Sequence, residues 1–268
     1  MFFEERYITR LGCVPFLRFM KNFLYLESTA STNDDAYQLA LKGADHGFGV
    51  IADCQSAGKG RLGKEWLSPR DTGLYCSIVL RPQLPFAEFP KLTLTAGLAL
   101  CATVEKILPS VSFGLKWPND LFASGKKSGG ILVESSSPNT QDDNPFVVVG
   151  IGLNVNTTRD MFPFELQGKA TSLHLLGGGN YVVSELYQEI HKALLDHIHI
   201  HETQGFKAIL AEWRKRDVLI GKVMQWVTFD KKIIKACGMG PDANGQLLAR
   251  DGDGRIHKIL SGDVQLVR

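Results

Sequence analysis

Between Asp53 and Trp66 the chain packs Gly58, Gly60 and Gly63 among Lys59, Arg61 and Lys64. Glycine lets a backbone take positive φ and lets a ligand approach main-chain N–H groups closely. The basic side chains add positive charge. A loop of this kind suits an anionic ligand, a phosphate or a carboxylate; the plain alternative is a solvated glycine turn.

Two phosphate patterns match the letters here. Gly58-x-Gly60-x-x-Gly63 fits a dinucleotide fingerprint, and Gly58-x4-Gly63-Lys64 fits a P-loop until Glu65, which stands where Ser or Thr belongs. Both need a helix to begin at the loop, because its N-terminal N–H groups hold the phosphate. Residues 66–73, with Pro69 and Gly73, read as more loop, and Leu74 to Arg81 has strand composition. Strand–loop–strand is expected, so the loop binds an anion in another way.

Other stretches carry polar groups in apolar company. Lys116-Trp117-Pro118-Asn119-Asp120 sets a lysine, an amide and a carboxylate at a rigid corner, where Pro118 suits a strand end or bulge. Such a set is costly to bury unless paired. It is either an Asn/Asp turn or a site where Asp120 holds magnesium or orients Lys116. Lys126 and Lys127 precede Gly129 and Gly130 in a basic turn that would equally suit a surface hairpin. Ser31, Thr32 and Asn33 lie where a strand hands over to a helix; one may be a cap, or all three offer hydrogen bonds to a small polar ligand. Gly150 and Gly152 interrupt a buried strand, which marks close approach of a ligand or another strand, and Asn154 and Asn156 close it.

The elements that must position these groups follow from periodicity and breakers. Phe23 to Glu27 reads as a strand, followed by a helix that ends near Gly43; Gly49 to Asp53 is the strand that delivers the glycine loop. Lys91 to Leu108 is a long helix stopped by Pro109. Gly125 to Glu134 is a hairpin entering a strand, 135–144 a polar loop, and Pro145 to Asn156 a buried strand. Residues 170–180 read as a turn region, followed by helices over 183–201 and 205–215. His191, His197, His199 and His201 invite a metal reading, but only His197 and His201 share a face at i, i+4 and no H-E-x-x-H pattern is present, so a solvated helix end is expected. From Asp217 onward, short strands alternate with Gly/Asp/Asn turns up to a last strand over 263–268, the pattern of a small antiparallel barrel.

Composition bounds the rest. The chain has 268 residues, is 44% hydrophobic and carries a net charge of +2, which gives no bulk attraction for nucleic acid or an anionic membrane. Five scattered cysteines (Cys13, Cys54, Cys76, Cys101, Cys237) make neither a disulfide framework nor a zinc site and favour a reducing compartment. No apolar run reaches the ~18–20 residues that span a bilayer, and residues 1–22 lack the form of a signal peptide. A cytoplasmic location is expected.

The lysines and arginine together suit a reaction that brings two anions into contact, such as attack of a carboxylate on an α-phosphate. Two unit charges at ~4 Å repel by about 4 kcal/mol at an effective dielectric of 20, and placed cations offset that repulsion. Here the chain resembles the biotin protein ligases, in Ser31-Thr32-Asn33, Gln55 to Gly63, Lys116 to Asp120, Lys127 to Glu134 and Gly150 to Asn156, in that order. The resemblance covers roughly residues 23–268. It implies an α+β fold, with a mixed β-sheet and helices of the class II aminoacyl-tRNA synthetase/biotin ligase type, then a small C-terminal SH3-like β-barrel. Domains of 1–216 (1–22 an N-terminal extension) and 217–268 are expected.

The resemblance also implies a biotin–[acetyl-CoA-carboxylase] ligase using ATP and Mg2+, with biotin as substrate and a biotin carboxyl carrier protein as acceptor. Lys127 and Arg61 would be catalytic. Ser31, Thr32, Asn33, Gln55, Gly58, Lys59, Gly60, Arg61, Lys127 and Gly129 would hold biotin. Lys116, Asn119, Asp120, Asn154 and Trp66 would serve ATP, with Asp120 at the metal. Two departures stand out: many members have Arg where this chain has Lys59, which loses the planar fork, and no winged-helix segment precedes the core, so no DNA partner is expected. A homodimer is compatible with the reading. A lipoate–protein ligase of the same fold and a non-catalytic biotin sensor are the competing readings.

Overall fold

A computed structural model describes residues 17–20, 22–136, 145–228 and 232–259. The elements in chain order are β1 (Leu17–Met20), β2 (Phe23–Leu26), α1 (Thr32–Leu41), β3 (Gly49–Ala52), β4 (Gly73–Leu80), α2 (Leu92–Ile107), β5 (Phe113–Lys116), β6 (Asp120–Ala123), β7 (Lys126–Ser135), β8 (Val147–Asn154), α3 (Leu173–Gly177), α4 (Val183–Gln204), α5 (Phe206–Lys215), β9 (Val223–Val227), β10 (Ile233–Pro241), β11 (Leu247–Asp251) and β12 (Ile256–Ile259). The expected strand over 263–268, most of the loop over 135–144 and most of segment 1–22 lie outside the described residues.

The chain divides into two compact units. The first comprises Met1–Pro82, Leu132–Thr158 and Ser172–Tyr187. Its strands run in the order β1-β2-β3-β4-β8. Strands β2 and β3 are parallel and are joined through α1, since a parallel pair needs a crossover; β3–β4 and β4–β8 are antiparallel. All eight residues of β4 are buried, which explains why it reads as a continuous apolar run and not as an alternating one. Helix α1 buries Ala36, Leu39 and Ala40 in a core with Leu24, Leu26, Val50, Val79 and Val148. Truncating a buried leucine such as Leu39 to Ala costs about 2–5 kcal/mol. The helix stops at Gly43, whose φ is +89°, and Arg81 donates from Nη2 to the Ala40 carbonyl and from Nε to the Ala44 carbonyl. The first of these satisfies a carbonyl in the last turn of the helix, and the second fastens the residues just beyond it.

The second unit comprises Gln83–Ile131, Arg159–Thr171 and Gln188–Arg268. Strands β5 and β6 form a hairpin in which Lys116 pairs with Asp120, and β6 pairs in turn with β7, with a register shift at Leu121/Phe122. The expected corner is thus the tip of a hairpin, and its Trp117–Pro118 peptide bond is cis. Helix α2 is buried along most of its length; beside it Arg216 grips Glu105 with Nε and Nη2 at 3.0 and 2.8 Å. A second, antiparallel sheet runs β12-β11-β10-β9 and matches the expected SH3-like part. In β9 burial alternates, with Met224 and Trp226 inward.

Where a turn was expected near residue 173, the short helix α3 forms. The Ser172 hydroxyl accepts from the Leu175 N–H at 3.1 Å and Gly178 closes the end with φ +74°. Five residues carry too little periodicity to announce a helix; the Ser…Gly pair around it was the available signal. No described helix is long and apolar enough to cross a membrane.

Candidate functional site

In the first unit the start of α1 becomes a polar floor. Thr32 donates from its backbone N–H to Gln55 Oε1 at 2.8 Å, its hydroxyl lies 3.1 Å from the same oxygen, and Gln55 Nε2 donates to Ser68 Oγ at 2.8 Å. Ser77, in the middle of β4 and fully buried, donates to Asn33 Oδ1 at 2.6 Å and lies 2.8 Å from Thr32 Oγ1. Asn33 Nδ2 donates to Glu134 Oε2 at 2.7 Å. Neutral groups buried in this way are tolerated because they are bonded to one another. Ser31 stands at the N-cap, buried, with no capping bond from its side chain. Thr29 and Asp35 bond to each other at 2.6 Å, and burial raises the Asp35 carboxyl.

The glycine loop folds back on itself above this floor. Trp66 N–H donates to the Gly58 carbonyl at 2.8 Å and Gly60 N–H to the Lys64 carbonyl at 2.7 Å. A Cβ on Gly58 would lie 2.4 Å from the Trp66 carbonyl oxygen, so the hairpin closes only on glycine. Residues Arg61–Gly63 form a 3-10 turn, and Leu62 at its tip takes φ +57°, a conformation uncommon outside glycine. No helix follows the loop, as expected. Lys59 pairs with Asp34, and that bond raises its ammonium above the usual range. Ser56 to Glu65 and Leu132, Val133 and Glu134 line an open cleft of about 640 Å³.

The strand glycines have a different cause from the one expected. A Cβ on Gly150 would sit 2.0 Å from Asn33 Oδ1, and one on Gly152 would sit 2.5 Å from the Trp66 ring. Side chains of this same unit, not another strand, lie on the bare backbone. Asn154 ends β8 opposite Gly73. Asn156 bonds the backbone of Tyr181 from both ends of its amide, at 3.0 and 2.9 Å, which makes it a brace.

The second unit holds the other candidates. Lys127 Nζ lies 2.6 Å from Asp120 Oδ1, both side chains about one-quarter to one-third exposed. The Lys127 backbone is fastened to the 159–171 segment, donating to the Lys169 carbonyl at 2.8 Å and accepting from Thr171 N–H at 2.9 Å. Asn119 Nδ2 donates to the Ile131 carbonyl at 2.9 Å. The Lys116 ammonium sits 5.4 Å from the Phe122 ring centroid, a cation–π distance. Gly129 faces Leu121 across the β6–β7 ladder. Asp120 is thus the ion-pair partner of Lys127.

The histidines correct one expectation. His201 is buried, not solvated: its ring meets Thr95 Oγ1 at 3.0 Å and Glu88 Oε2 at 3.4 Å. Burial pulls it below the usual histidine value against the opposing pull of Glu88. No group of three or more metal-ligating side chains occurs among the described residues. Asp217, partly exposed yet with a buried Oδ2 lacking a hydrogen bond, is pushed up to about 6, chiefly by burial.

Sequence reasoning missed Ser68, Ser77, Asp34 and Glu134. Ser77 could have been found as the polar residue within the apolar run of β4; Glu134 gave no signal beyond ending an apolar strand.

A family model, the biotin/lipoate A/B protein ligase family, matches residues 25–154. A bifunctional ligase/repressor BirA of Bacillus spizizenii is 35% identical over 247 residues, covering 92% of this chain and 74% of that one. A biotin–[acetyl-CoA-carboxylase] ligase of Mycobacterium tuberculosis is 33% identical over 90% of this chain and 87% of its own length. Among solved structures, the biotin protein ligase from Aquifex aeolicus in complex with biotin and ATP matches with a TM-score of 0.78 at 30% identity, over 93% of this chain and 100% of that one.

Proposed function

Since the chain belongs to the biotin/lipoate A/B protein ligase family, we propose that it is a biotin–protein ligase using MgATP. The biotin carboxylate oxygen attacks the α-phosphorus, pyrophosphate leaves, and biotinyl-5′-AMP forms. A lysine amine of a biotin carboxyl carrier protein then attacks the acyl carbon; AMP leaves and the amine loses a proton. The observation that carries this reading is a hydrogen-bonded polar cluster at the start of α1, joined through Glu134 to a cleft lined by the cationic glycine loop. Biotin has the same division, a neutral ureido ring and an anionic carboxylate.

Ser31, Thr32, Asn33, Gln55 and Gly58 serve the ring side, and Lys59, Gly60 and Arg61 cover the cleft. Lys127, held by Asp120, supplies positive charge for the carboxylate and α-phosphate, with Gly129 beside it on β7. Lys116, Asn119, Asn154 and Trp66 serve the nucleotide. Asp120 is a lone carboxylate with one oxygen on Lys127. That fits a magnesium ion held by one carboxylate and the phosphates of its nucleotide, an ion that offsets phosphate charge. The free cysteines among the described residues fit a cytoplasmic setting. We propose that the chain acts as a ligase without operator binding, and a homodimer is compatible with this reading; a gel shift with operator duplex and sedimentation test these two points.

Biotin-dependent ATP–pyrophosphate exchange tests the reading, with lipoate in parallel. Exchange with biotin, lost in Lys127→Ala, supports it. Biotin binding without exchange makes the chain a sensor, and exchange with lipoate alone makes it a lipoate ligase.

A further inference from the structure

We infer that Glu134 is a positioning residue that sets the direction of the Asn33 amide, and thereby decides which head-group polarity the cleft accepts. The inference rests on the biotin reading above. Asn33 is 4% exposed, and its amide lies on the bare backbone of Gly150, where a Cβ would come within 2.0 Å of Oδ1. That packing fixes the plane of the amide. It cannot fix the direction, because the oxygen and nitrogen of an amide are nearly the same size and a half-turn exchanges them. The two bonded neighbours must decide.

Ser77 cannot decide, since a hydroxyl donates or accepts. A carboxylate only accepts, so Glu134 draws Nδ2 toward itself at 2.7 Å and Oδ1 is left facing Ser77 at 2.6 Å. The single proton of Ser77 goes to that oxygen, so Ser77 accepts the proton of the Thr32 hydroxyl, 2.8 Å away. From Thr32 the bonds continue to Gln55 and Ser68. Glu134 is the one side chain in this chain of bonds that can play a single part, and it also lines the cleft. It gives the floor a fixed pattern of spare donors and acceptors.

Biotin's ureido ring presents a carbonyl acceptor flanked by two N–H donors. A reversed amide would turn a matched contact into donor facing donor or acceptor facing acceptor, and sites built on hydrogen bonds discriminate strongly on that ground.

The test measures binding of biotin and of 2-iminobiotin at neutral pH, where a protonated imino nitrogen replaces the carbonyl and the head group only donates. Wild type, Glu134→Gln and Glu134→Asp are compared. Gln keeps the size but can donate or accept; Asp keeps the carboxylate. In the Gln variant, biotin affinity and the preference for biotin over the imino analogue are both expected to fall about tenfold. KM for biotin rises, kcat and the KM for ATP stay near wild type, and the melting temperature is little changed. Asp retains the preference even if its affinity drops. An unchanged preference in Glu134→Gln, or equal losses for both ligands, overturns the inference while leaving the ligase reading intact. Wild type that binds no biotin overturns the ligase reading, and the inference with it.

Discussion

The two units solve the problem of buried polarity in opposite ways. In the first, the polar cluster at the start of α1 is made of Thr32, Asn33, Gln55, Ser68 and Ser77, neutral groups that satisfy one another. In the second, charge is kept inside or at the surface of strands and helices: Lys127 with Asp120, Arg216 with Glu105, His201 against Glu88, and Asp217 with one unbonded oxygen. Neutral bonded groups recognise a shape and a pattern at little cost in desolvation, whereas buried charges shift their own protonation and do chemistry. The first unit is suited to reading a ligand, the second to acting on it.

The largest expected effect breaks the acting side. Lys127→Ala should lower biotin-dependent pyrophosphate exchange by about 10²–10³ or more, as when a positioned transition-state charge is lost. Equilibrium biotin binding, measured by calorimetry, should change far less. A variant that loses both equally would mean the two units do not divide the work. The reading side breaks at Gly150→Ala. Its new methyl meets Asn33 Oδ1, so biotin affinity should fall about tenfold or more, with ~1–3 kcal/mol of stability lost to overpacking.

A pH series sharpens the comparison. The Asp217 carboxyl sits at about 6 in the fold, above its usual 3.8, so the native state binds the extra proton between those values. Its contribution to stability is therefore full below about pH 4 and is lost as pH rises through about 6. Asp217→Asn should stabilise the protein at pH 7.5 by about 1–3 kcal/mol, a gain that shrinks toward pH 4, read by urea unfolding at both pH values. His201 acts in the other sense: burial lowers it, so its contribution is full above its ordinary value and is lost on acidification. The smallest effect is that of Asp34→Asn. Both partners of the Lys59–Asp34 pair are about half exposed, so the stability change should lie within ~0–1 kcal/mol and vanish in high salt.

The elements were legible where one signal ruled. The helix start before Ala36, the Pro109 stop after α2 and the described strands of the C-terminal sheet stand as read. Positions failed where the cause was tertiary. Gly150 and Gly152 announced a close approach, but only the fold reveals that Asn33 and Trp66 make it. His201 looked like a solvated helix end because a side chain one turn from a helix terminus carries no local mark of the α2 residue, Thr95, that buries it. Asp34 and Glu134 were invisible because each sits 25 or more residues from the partner that gives it meaning.

Trp66, resting on the bare backbone of Gly152 beside the glycine loop, has an optical consequence. The other three tryptophans, Trp117, Trp213 and Trp226, are 8%, 1% and 0% exposed and belong to the second unit. Their emission should be blue-shifted and shielded from acrylamide. The quenchable, red-edge part of the fluorescence therefore belongs to Trp66, and the chain carries its own label next to the glycine loop, one that Trp66→Phe would switch off.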